Sequence, residues 1–208
     1  ACSTSRTMRI PQPWVWVGGV TASDAMVCAR GATAAPMQLK LQSMYGAQTV
    51  KAASSEMFAS RFSLSGLAEI TVYEYEVGST LRGRFRTAPK FASLTKFVFA
   101  GCSDSGSNHQ VFDRIRAERP NFLIRNGDLH YWDIDTDDVD LFAAAYDQVL
   151  TTPRQLSLHQ EIPTVYVWDD HDYGSNNSDA ASPSKAAAAT AYRRFAPHHA
   201  LTHEQAVY

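Results

Sequence analysis

The sequence predicts a multidomain protein in which an N-terminal all-β sandwich is followed by the front half of an α/β domain. Between about Trp14 and Pro89, short segments of alternating apolar and polar residues are separated by small or polar residues, which is typical of a sandwich. After Pro89, strand-like and helix-like patterns alternate, which indicates α/β structure. We therefore divide the chain into a leader or linker (1–13), a sandwich (14–89) and an α/β part (90–208).

The predicted sandwich contains six strand-like segments: "WVWVGGV", "AMVCARG", "MQLKLQSMY", "MFASRFSLSGL", "ITVYEYEVG" and "GRFRTAP". The segment "LSGLAEITVYEYEVG" followed by "GRFRTAP" resembles the closing strands of a fibronectin type III module. The resemblance places Tyr73 or Tyr75 near the conserved tyrosine of such modules. Ala68 departs from it, since that position often carries proline.

Two segments of the α/β part have apolar residues at helical spacing. In "NHQVFDRIRAERP" they are Val111, Phe112 and Ile115, and in "DDVDLFAAAYDQVLTTP" they are Val139, Phe142, Tyr146 and Val149. Asp137 and Asp138 stand where the second helix would begin, and carboxylates are favoured there. We interpret the acidic run "DIDTDD" as a helix cap and solvated loop, because it lacks the Gly and Glu that an EF-hand calcium loop requires.

Two strings that follow apolar, strand-like runs combine carboxylate, imidazole and phenol groups. In "NGDLHYWD", Asp128 follows Gly127 and Tyr131 comes three residues later, while "WDDHDYGSNN" follows the run "IPTVYVW" directly. If both strands are parallel, their carboxyl ends meet at one edge of a sheet, where ligands of open α/β sheets bind. Oxygen and nitrogen donors of this kind are metal ligands, so the pattern predicts a metal site, typically a dinuclear one.

A third strand-like run, "LTKFVFAGCSDS", delivers Cys102 and Asp104 to the same edge. Cys102 is either a thiolate ligand of the predicted site or a small buried apolar residue, as most lone cysteines are. Both interpretations stay open on the sequence alone.

The order of Cys102, "GDLHY" and "WDDHD" resembles the alkaline phosphatase D family of calcineurin-like metallophosphoesterases. The resemblance implies that Cys102 and Tyr131 bind Fe(III), that Asp128 bridges two metal ions and that Asp170 binds the second ion, Ca²⁺. Zn²⁺ or Mn²⁺ are the alternative metals.

The same resemblance implies that His171 is the catalytic histidine and that Asp172 orients it. The implied activity is metal-dependent hydrolysis of phosphoric esters, either monoesters or diesters, with a metal-bound hydroxide as nucleophile. Two cations neutralise the phosphoryl oxygens and acidify a bound water, and a histidine can protonate the leaving alkoxide. The alternatives are a phospholipase D-like or haloperoxidase-like activity on the same scaffold, or an inactive sandwich-bearing binding fragment.

Composition limits the classes of partner. The chain has 208 residues, is 45% hydrophobic and carries a formal net charge of −2, so it has no bias toward nucleic acid. No segment is long and apolar enough to predict a membrane span. The three cysteines, Cys2, Cys28 and Cys102, define no disulfide framework. The chain opens on Ala1, and removal of an export signal is one explanation, which would make the protein secreted, periplasmic or attached to the cell surface.

The resemblance also implies that the chain is truncated relative to the family. Related enzymes close their site with further His and Asp residues that would come after Tyr208. An α/β domain built only this far leaves an apolar sheet face uncovered. We therefore expect a second polypeptide as one source of the missing half, in addition to the phosphate ester substrate.

Overall fold

The computed structural model describes residues 11–202; Ala1, Cys2 and most of the predicted leader lie outside the described residues, as do residues 203–208. The first eight strands are β1 (Trp14–Gly18), β2 (Ala25–Arg30), β3 (Gln38–Ser43), β4 (Gly46–Lys51), β5 (Ser54–Glu56), β6 (Ala59–Leu64), β7 (Val72–Val77) and β8 (Leu81–Arg86). These strands form the predicted sandwich.

The rest of the described chain alternates strands and helices. Its elements are β9 (Phe97–Ala100), α1 (Val111–Ala117), β10 (Phe122–Asn126), α2 (Val139–Leu150), α3 (Pro153–His159), β11 (Thr164–Val167), α4 (Asp170–Tyr173) and α5 (Lys185–Phe195). The predicted fold class, a sandwich followed by α/β structure, is confirmed. Within residues 11–202, no helix combines the length and the apolar character needed to cross a membrane.

The two parts share one sheet. A seven-stranded sheet has the order β5-β6-β2-β1-β11-β10-β9, and a four-stranded sheet has the order β4-β3-β7-β8. Strands β9, β10 and β11 are parallel, and β1 joins them through a parallel pairing of Gly18 with Thr164. A Cβ on Gly18 would lie 2.4 Å from the Thr164 carbonyl oxygen, so this pairing requires glycine.

Strand β1 contributes to two of the hydrophobic cores, because successive side chains of a strand point to opposite faces. Trp14 and Trp16 enter a core built largely by α2 and α5, where Trp14 meets Phe195 edge-on. Val15 and Val17 enter the core between the two sheets of the sandwich. All five residues of β1 are buried, so neither core is complete without this strand.

The tyrosine of the fibronectin-like segment is Tyr73. Its hydroxyl accepts a hydrogen bond from the Ala68 backbone N–H at 2.8 Å, the upstream bond expected of a tyrosine corner. The Tyr75 hydroxyl instead donates to the Gln160 carbonyl oxygen at 2.7 Å. Tyr75 therefore links the sandwich to the segment between α3 and β11.

The predicted helices and the capping role of the acidic run are present. In α2, the apolar stripe is buried through Phe142, Tyr146 and Val149. The Asp138 carboxylate caps α2 by accepting from the Asp140 backbone N–H at 3.0 Å. The Asp137 carboxylate accepts from the Ala187 N–H at 2.7 Å, near the start of α5. The acidic run thus helps to begin two helices.

The expected uncovered face is also present. One face of the β9–β11 sheet is packed by α1 and α3. On the opposite face, Phe97, Phe99 and Val165 are exposed by 52%, 63% and 46%. These large apolar side chains form an exposed apolar patch on this face of the sheet.

A largely buried ion pair links the sandwich to α2. The Arg30 guanidinium lies 2.7 Å from the Asp147 carboxylate and also donates to the Ala143 carbonyl oxygen. The other Asp147 oxygen accepts from the Trp14 indole N–H at 2.8 Å. Burial raises the pKa of Asp147 although Arg30 and Trp14 act in the opposite sense. The cost of desolvation is therefore substantial, and each partner depends on the other.

We predict that Asp147→Ala lowers the free energy of unfolding by roughly 3 kcal/mol, because it leaves the Arg30 charge buried without its carboxylate. Asp140→Ala, which removes an exposed carboxylate from the same helix, should cost less than about 1 kcal/mol. Urea denaturation of both variants measures the difference. Equal losses would show that the ion pair does not stabilise the junction.

Candidate metal centre

Three parallel strands deliver the predicted site residues to one edge of the sheet. Cys102 follows β9, Asp128 and Tyr131 follow β10, and Asp170 and His171 begin α4 after β11. Cys102 and Asp128 both have left-handed backbone conformations, with φ of 51° and 52°. The chain therefore turns sharply at the strand ends, which brings both side chains to the sheet edge.

The turn after β10 depends on Gly127. Its φ is 73°, and a Cβ at this position would lie 2.2 Å from the Asp169 Cβ. Only glycine satisfies both the left-handed conformation and the close approach. This contact brings the ends of β10 and β11 together, so Asp128 and Asp170 meet at the sheet edge.

Asp128 stands at the centre of the site. Its Oδ2 accepts from the Tyr131 hydroxyl at 2.8 Å and from the Cys102 thiol at 3.4 Å. Its Oδ1 is buried and has no hydrogen-bond partner among residues 11–202. A buried carboxylate oxygen without a donor is costly, and a bound cation would satisfy it. Cys102 is exposed and contacts Asp128, which favours the ligand interpretation over that of a buried apolar residue.

A second group of donors also includes Asp128. Asp128, Asp170 and His171 each offer one potential ligand atom, and these atoms all lie within 4.8 Å of one another. Asp128 is therefore common to two clusters, one with Cys102 and Tyr131 and one with Asp170 and His171. This is the arrangement that a bridging carboxylate requires, although metal binding itself stays a prediction.

The phenol of Tyr131 keeps its proton in the absence of a cation. Burial raises the pKa of Tyr131, and the hydrogen bonds with Asp128 and Cys102 raise it further. A phenolate beside the Asp128 carboxylate would place two negative charges in contact. Coordination of Tyr131 therefore requires a positive ion to displace the proton.

The structure gives the Asp172 carboxylate backbone partners in place of the predicted contact with His171. The Asp172 carboxylate accepts from the Leu129 backbone N–H at 2.7 Å and from the Asp169 backbone N–H at 3.1 Å. Asp172 is the third residue of α4, and its side chain folds back to the helix start in a capping box with Asp169. Asp172 therefore links the ends of β10 and β11 to each other.

Asp133 occupies the position that we expected of Asp172. Its Oδ1 lies 2.9 Å from the His171 Nδ1. The sequence contained this carboxylate at the end of "NGDLHYWD", but its position in an acidic run indicated only a solvated loop. No periodicity or spacing distinguished Asp133 from its acidic neighbours.

Two buried charged residues, Asp172 and Arg125, lie beneath the candidate metal centre. Burial raises the pKa of Asp172 to about 6, while hydrogen bonds from Asp169 and Leu129 and the charge of Arg125 lower it. Arg125 is itself buried on β10 and donates to the Ser103 hydroxyl. Its guanidinium supplies positive charge beneath the carboxylates that surround the candidate metal centre.

The fold and site define an α/β domain with a candidate metal centre at its strand ends, fused to a fibronectin-like sandwich. The fold is similar to that of a solved protein described as "Structure of PhoD", with a TM-score of 0.69 and 17% sequence identity over 86% of this chain. The resemblance to the alkaline phosphatase D family is thereby confirmed at the level of the fold. The chain spans 44% of that structure, which is less than half of its length.

Other comparisons are weaker. The fn3 domain of the human collagen alpha-1(XX) chain has 20% identity and a TM-score of 0.29, and the match covers 45% of this chain and 96% of that domain. No family model matches the sequence, and no curated protein matches it.

We predict a pH-dependent contribution from Asp172 in the metal-free chain. Its pKa rises from an ordinary 3.8 to about 6 on folding, so the folded state binds more protons between these values. The contribution of Asp172 to stability is therefore fully present below about pH 4, falls as the pH rises to about 6 and is constant above it. Asp172→Asn abolishes this dependence and also weakens the cap at every pH, by about 1 kcal/mol.

Urea denaturation between about pH 4 and pH 7 tests this. The stability of the wild type relative to Asp172→Asn should fall by roughly 1 to 3 kcal/mol across the window. A difference that is independent of pH would show that the Asp172 carboxyl does not titrate abnormally.

Proposed function

We propose that this chain carries the metal-binding front half of a metal-dependent phosphoric ester hydrolase of the alkaline phosphatase D type, acting on phosphate monoesters or diesters. The observation that carries the proposal is the position of Asp128 between two donor groups at the strand ends. A structural likeness at low identity supports the same fold, and the activity rests on the site.

The donor types match two different cations. Thiolate and phenolate oxygen, as offered by Cys102 and Tyr131, suit Fe(III). Carboxylates, as offered by Asp128 and Asp170, suit Ca²⁺. Zn²⁺ and Mn²⁺ are the alternatives for the same donors. When bound, two cations would neutralise the phosphoryl oxygens and acidify a coordinated water.

We assign His171 the role of the general acid that protonates the leaving group of the ester. Its ring offers a potential ligand atom within 4.8 Å of those of Asp128 and Asp170, and the side chain is 13% exposed, so a bound ester can approach it. A histidine can hold a proton near neutral pH and pass it to a leaving alkoxide. Asp128, Cys102, Tyr131 and Asp170 hold the metals, while Asp172 serves the structure of the site and has no direct role in the chemistry.

Metal content tests the proposal. Asp128→Asn should lose most bound metal because it removes the shared carboxylate, and Tyr131→Phe should abolish most of the visible absorption that phenolate gives to bound Fe(III). Asp24→Asn and Tyr45→Phe, both in the sandwich, are the matched controls. Elemental analysis and visible spectra measure both effects. A colourless, metal-free wild type after reconstitution with iron would support the inactive binding fragment instead.

His171→Ala separates chemistry from metal binding within the same set of variants. In an assembly that hydrolyses esters, it should keep both metals and slow turnover by about a hundredfold or more, the usual scale for losing a general acid. Nitrophenyl esters should be affected least, because their leaving group needs no proton. Loss of metal, or equal slowing of good and poor leaving groups, would make His171 a ligand or a structural residue.

We also propose that further polypeptide of the same domain covers the exposed face of β9–β11, either on a longer form of this chain or on a second chain. The exposed Phe97, Phe99 and Val165 support this, as does the extent of the similar structure beyond the matched part. The intact mass and terminal peptides of native material identify the source. A native 208-residue chain that is monodisperse and active alone would contradict the proposal.

A secreted, periplasmic or cell-surface location belongs to the same proposal. Fractionation of the source cells, followed by immunodetection of the chain, tests it, and recovery only from the cytosol would contradict it.

A further inference from the structure

We propose that Asp133 is the positioning residue of His171. By accepting a hydrogen bond from Nδ1, it holds the imidazole in the Nδ1–H tautomer and leaves Nε2 with a free lone pair. The His171 ring is also one of the three groups of the Asp128–Asp170 cluster. The use of this tautomer in turnover rests on the proposed hydrolase function. The tautomer itself is a property of the metal-free chain.

The choice of tautomer follows from the donor and acceptor inventory. An ionised carboxylate can only accept hydrogen bonds, so a contact of 2.9 Å between Asp133 Oδ1 and His171 Nδ1 requires the proton to be on Nδ1. A neutral imidazole carries one ring proton. Nε2 is therefore the unprotonated nitrogen, the one that can take up a proton and pass it to a leaving group.

Asp133 is itself held in place. Its φ of 48° is left-handed, a conformation that Asp tolerates better than most residues. The same Oδ1 accepts from the Asn176 backbone N–H at 2.9 Å. The carboxylate oxygen is thus aimed by the segment that follows α4, while the side chain remains 54% exposed.

The imidazole is confined on a second side by Tyr131. The two ring centroids are 4.3 Å apart, with an interplanar angle of 45°. Asp170, the neighbour of His171, accepts from the Asn177 N–H at 2.5 Å. Successive N–H groups of one segment therefore fix both Asp133 and Asp170. The orientation of His171 and the position of its neighbouring carboxylate are coupled through that segment.

The His171 ring needs another partner to orient it, because the Asp172 carboxylate already accepts hydrogen bonds from the backbone. Both oxygens of Asp172 accept from backbone N–H groups at the starts of the β10 and β11 loops. Among the described residues, Asp133 is the carboxylate bonded to the His171 ring. Without it, the ring would lose the acceptor that keeps the proton on Nδ1 and would be free to take the other tautomer.

The test uses the metal-free chain labelled with ¹⁵N at histidine. At about pH 9, where ordinary imidazole is neutral, the ¹⁵N shifts of the His171 ring report which nitrogen carries the proton. The wild type should show predominantly the Nδ1–H form. His171→Gln assigns the signals by their disappearance.

Three variants identify the cause. Asp133→Ala should lose the Nδ1–H predominance, and the Nε2–H form, which free histidine prefers, should become the major one. Asp133→Asn should retain the Nδ1–H form to a larger extent, because the Asn176 N–H keeps an oxygen at the accepting position. Asp135→Asn removes an exposed carboxylate from the same loop and should match the wild type.

The outcomes separate this proposal from the proposed function. A wild type with mainly the Nε2–H form, or an Asp133→Ala variant that matches Asp135→Asn, would overturn the positioning role even if the protein hydrolyses esters. If the spectra are as expected but the chain binds no metal, the positioning role of Asp133 stands and the proposed hydrolase function is rejected. If Asp133→Ala does not fold, Asp133→Asn and its ratio of tautomers still decide the matter.

In an active assembly, a positioning role also predicts the kinetic pattern. Asp133→Ala should lower kcat with little change in KM, since it disturbs the orientation of His171 and not the binding of the ester. An equal effect on esters with good and poor leaving groups would indicate a merely structural role and overturn the assignment.

Discussion

The structure depends on one strand with two faces. Because β1 alternates tryptophan and valine, Trp14 and Trp16 complete the core beneath α2 and α5, and Val15 and Val17 complete the core of the sandwich. The pairing of Gly18 with Thr164 then attaches β11 to the same sheet. The position of β11 relative to the sandwich, and with it the position of the site, follows from this arrangement.

The site is a consequence of parallel strands that end together. Gly127 allows the turn after β10 to approach Asp169, and the Asp172 carboxylate ties both turns through backbone hydrogen bonds. Burial of the Asp172 carboxylate at this junction is unfavourable for its charged form, and it raises the pKa of Asp172. The rigid support keeps Asp128 close to both of its donor groups without requiring them to be ordered by a bound ion.

Local patterns in the sequence predicted much of this. The alternation of "WVWVG" and the helical spacing of Phe142, Tyr146 and Val149 depend on neighbouring residues, so their structure is readable from the sequence. The convergence of Cys102 and Asp128 was also predictable, because parallel strands must end at one edge. The sharing of β1 between two cores was not, since it depends on a contact between residues far apart in the chain.

The roles of Asp172 and Asp133 show where interpretation of motifs fails. The spacing of Asp169 and Asp172 matches that of a capping box, so a signal for the structural role of Asp172 was available. The resemblance to the family motif instead favoured a catalytic role for Asp172, because an acid next to a histidine suggests a catalytic dyad. For Asp133 no such signal existed, since its contact depends on a left-handed turn and on the segment after α4.

The shared sheet bears on how such a protein could have arisen. A module joined to an enzyme by a linker can be gained, lost or exchanged by recombination, because its removal leaves the neighbouring core intact. Here, removal of the sandwich would take away Trp14, Trp16 and the Arg30 partner of Asp147, and would open the helical core to water. The sandwich and the α/β part are therefore expected to have evolved together. A substitution in β1 must be compatible with both cores at the same time.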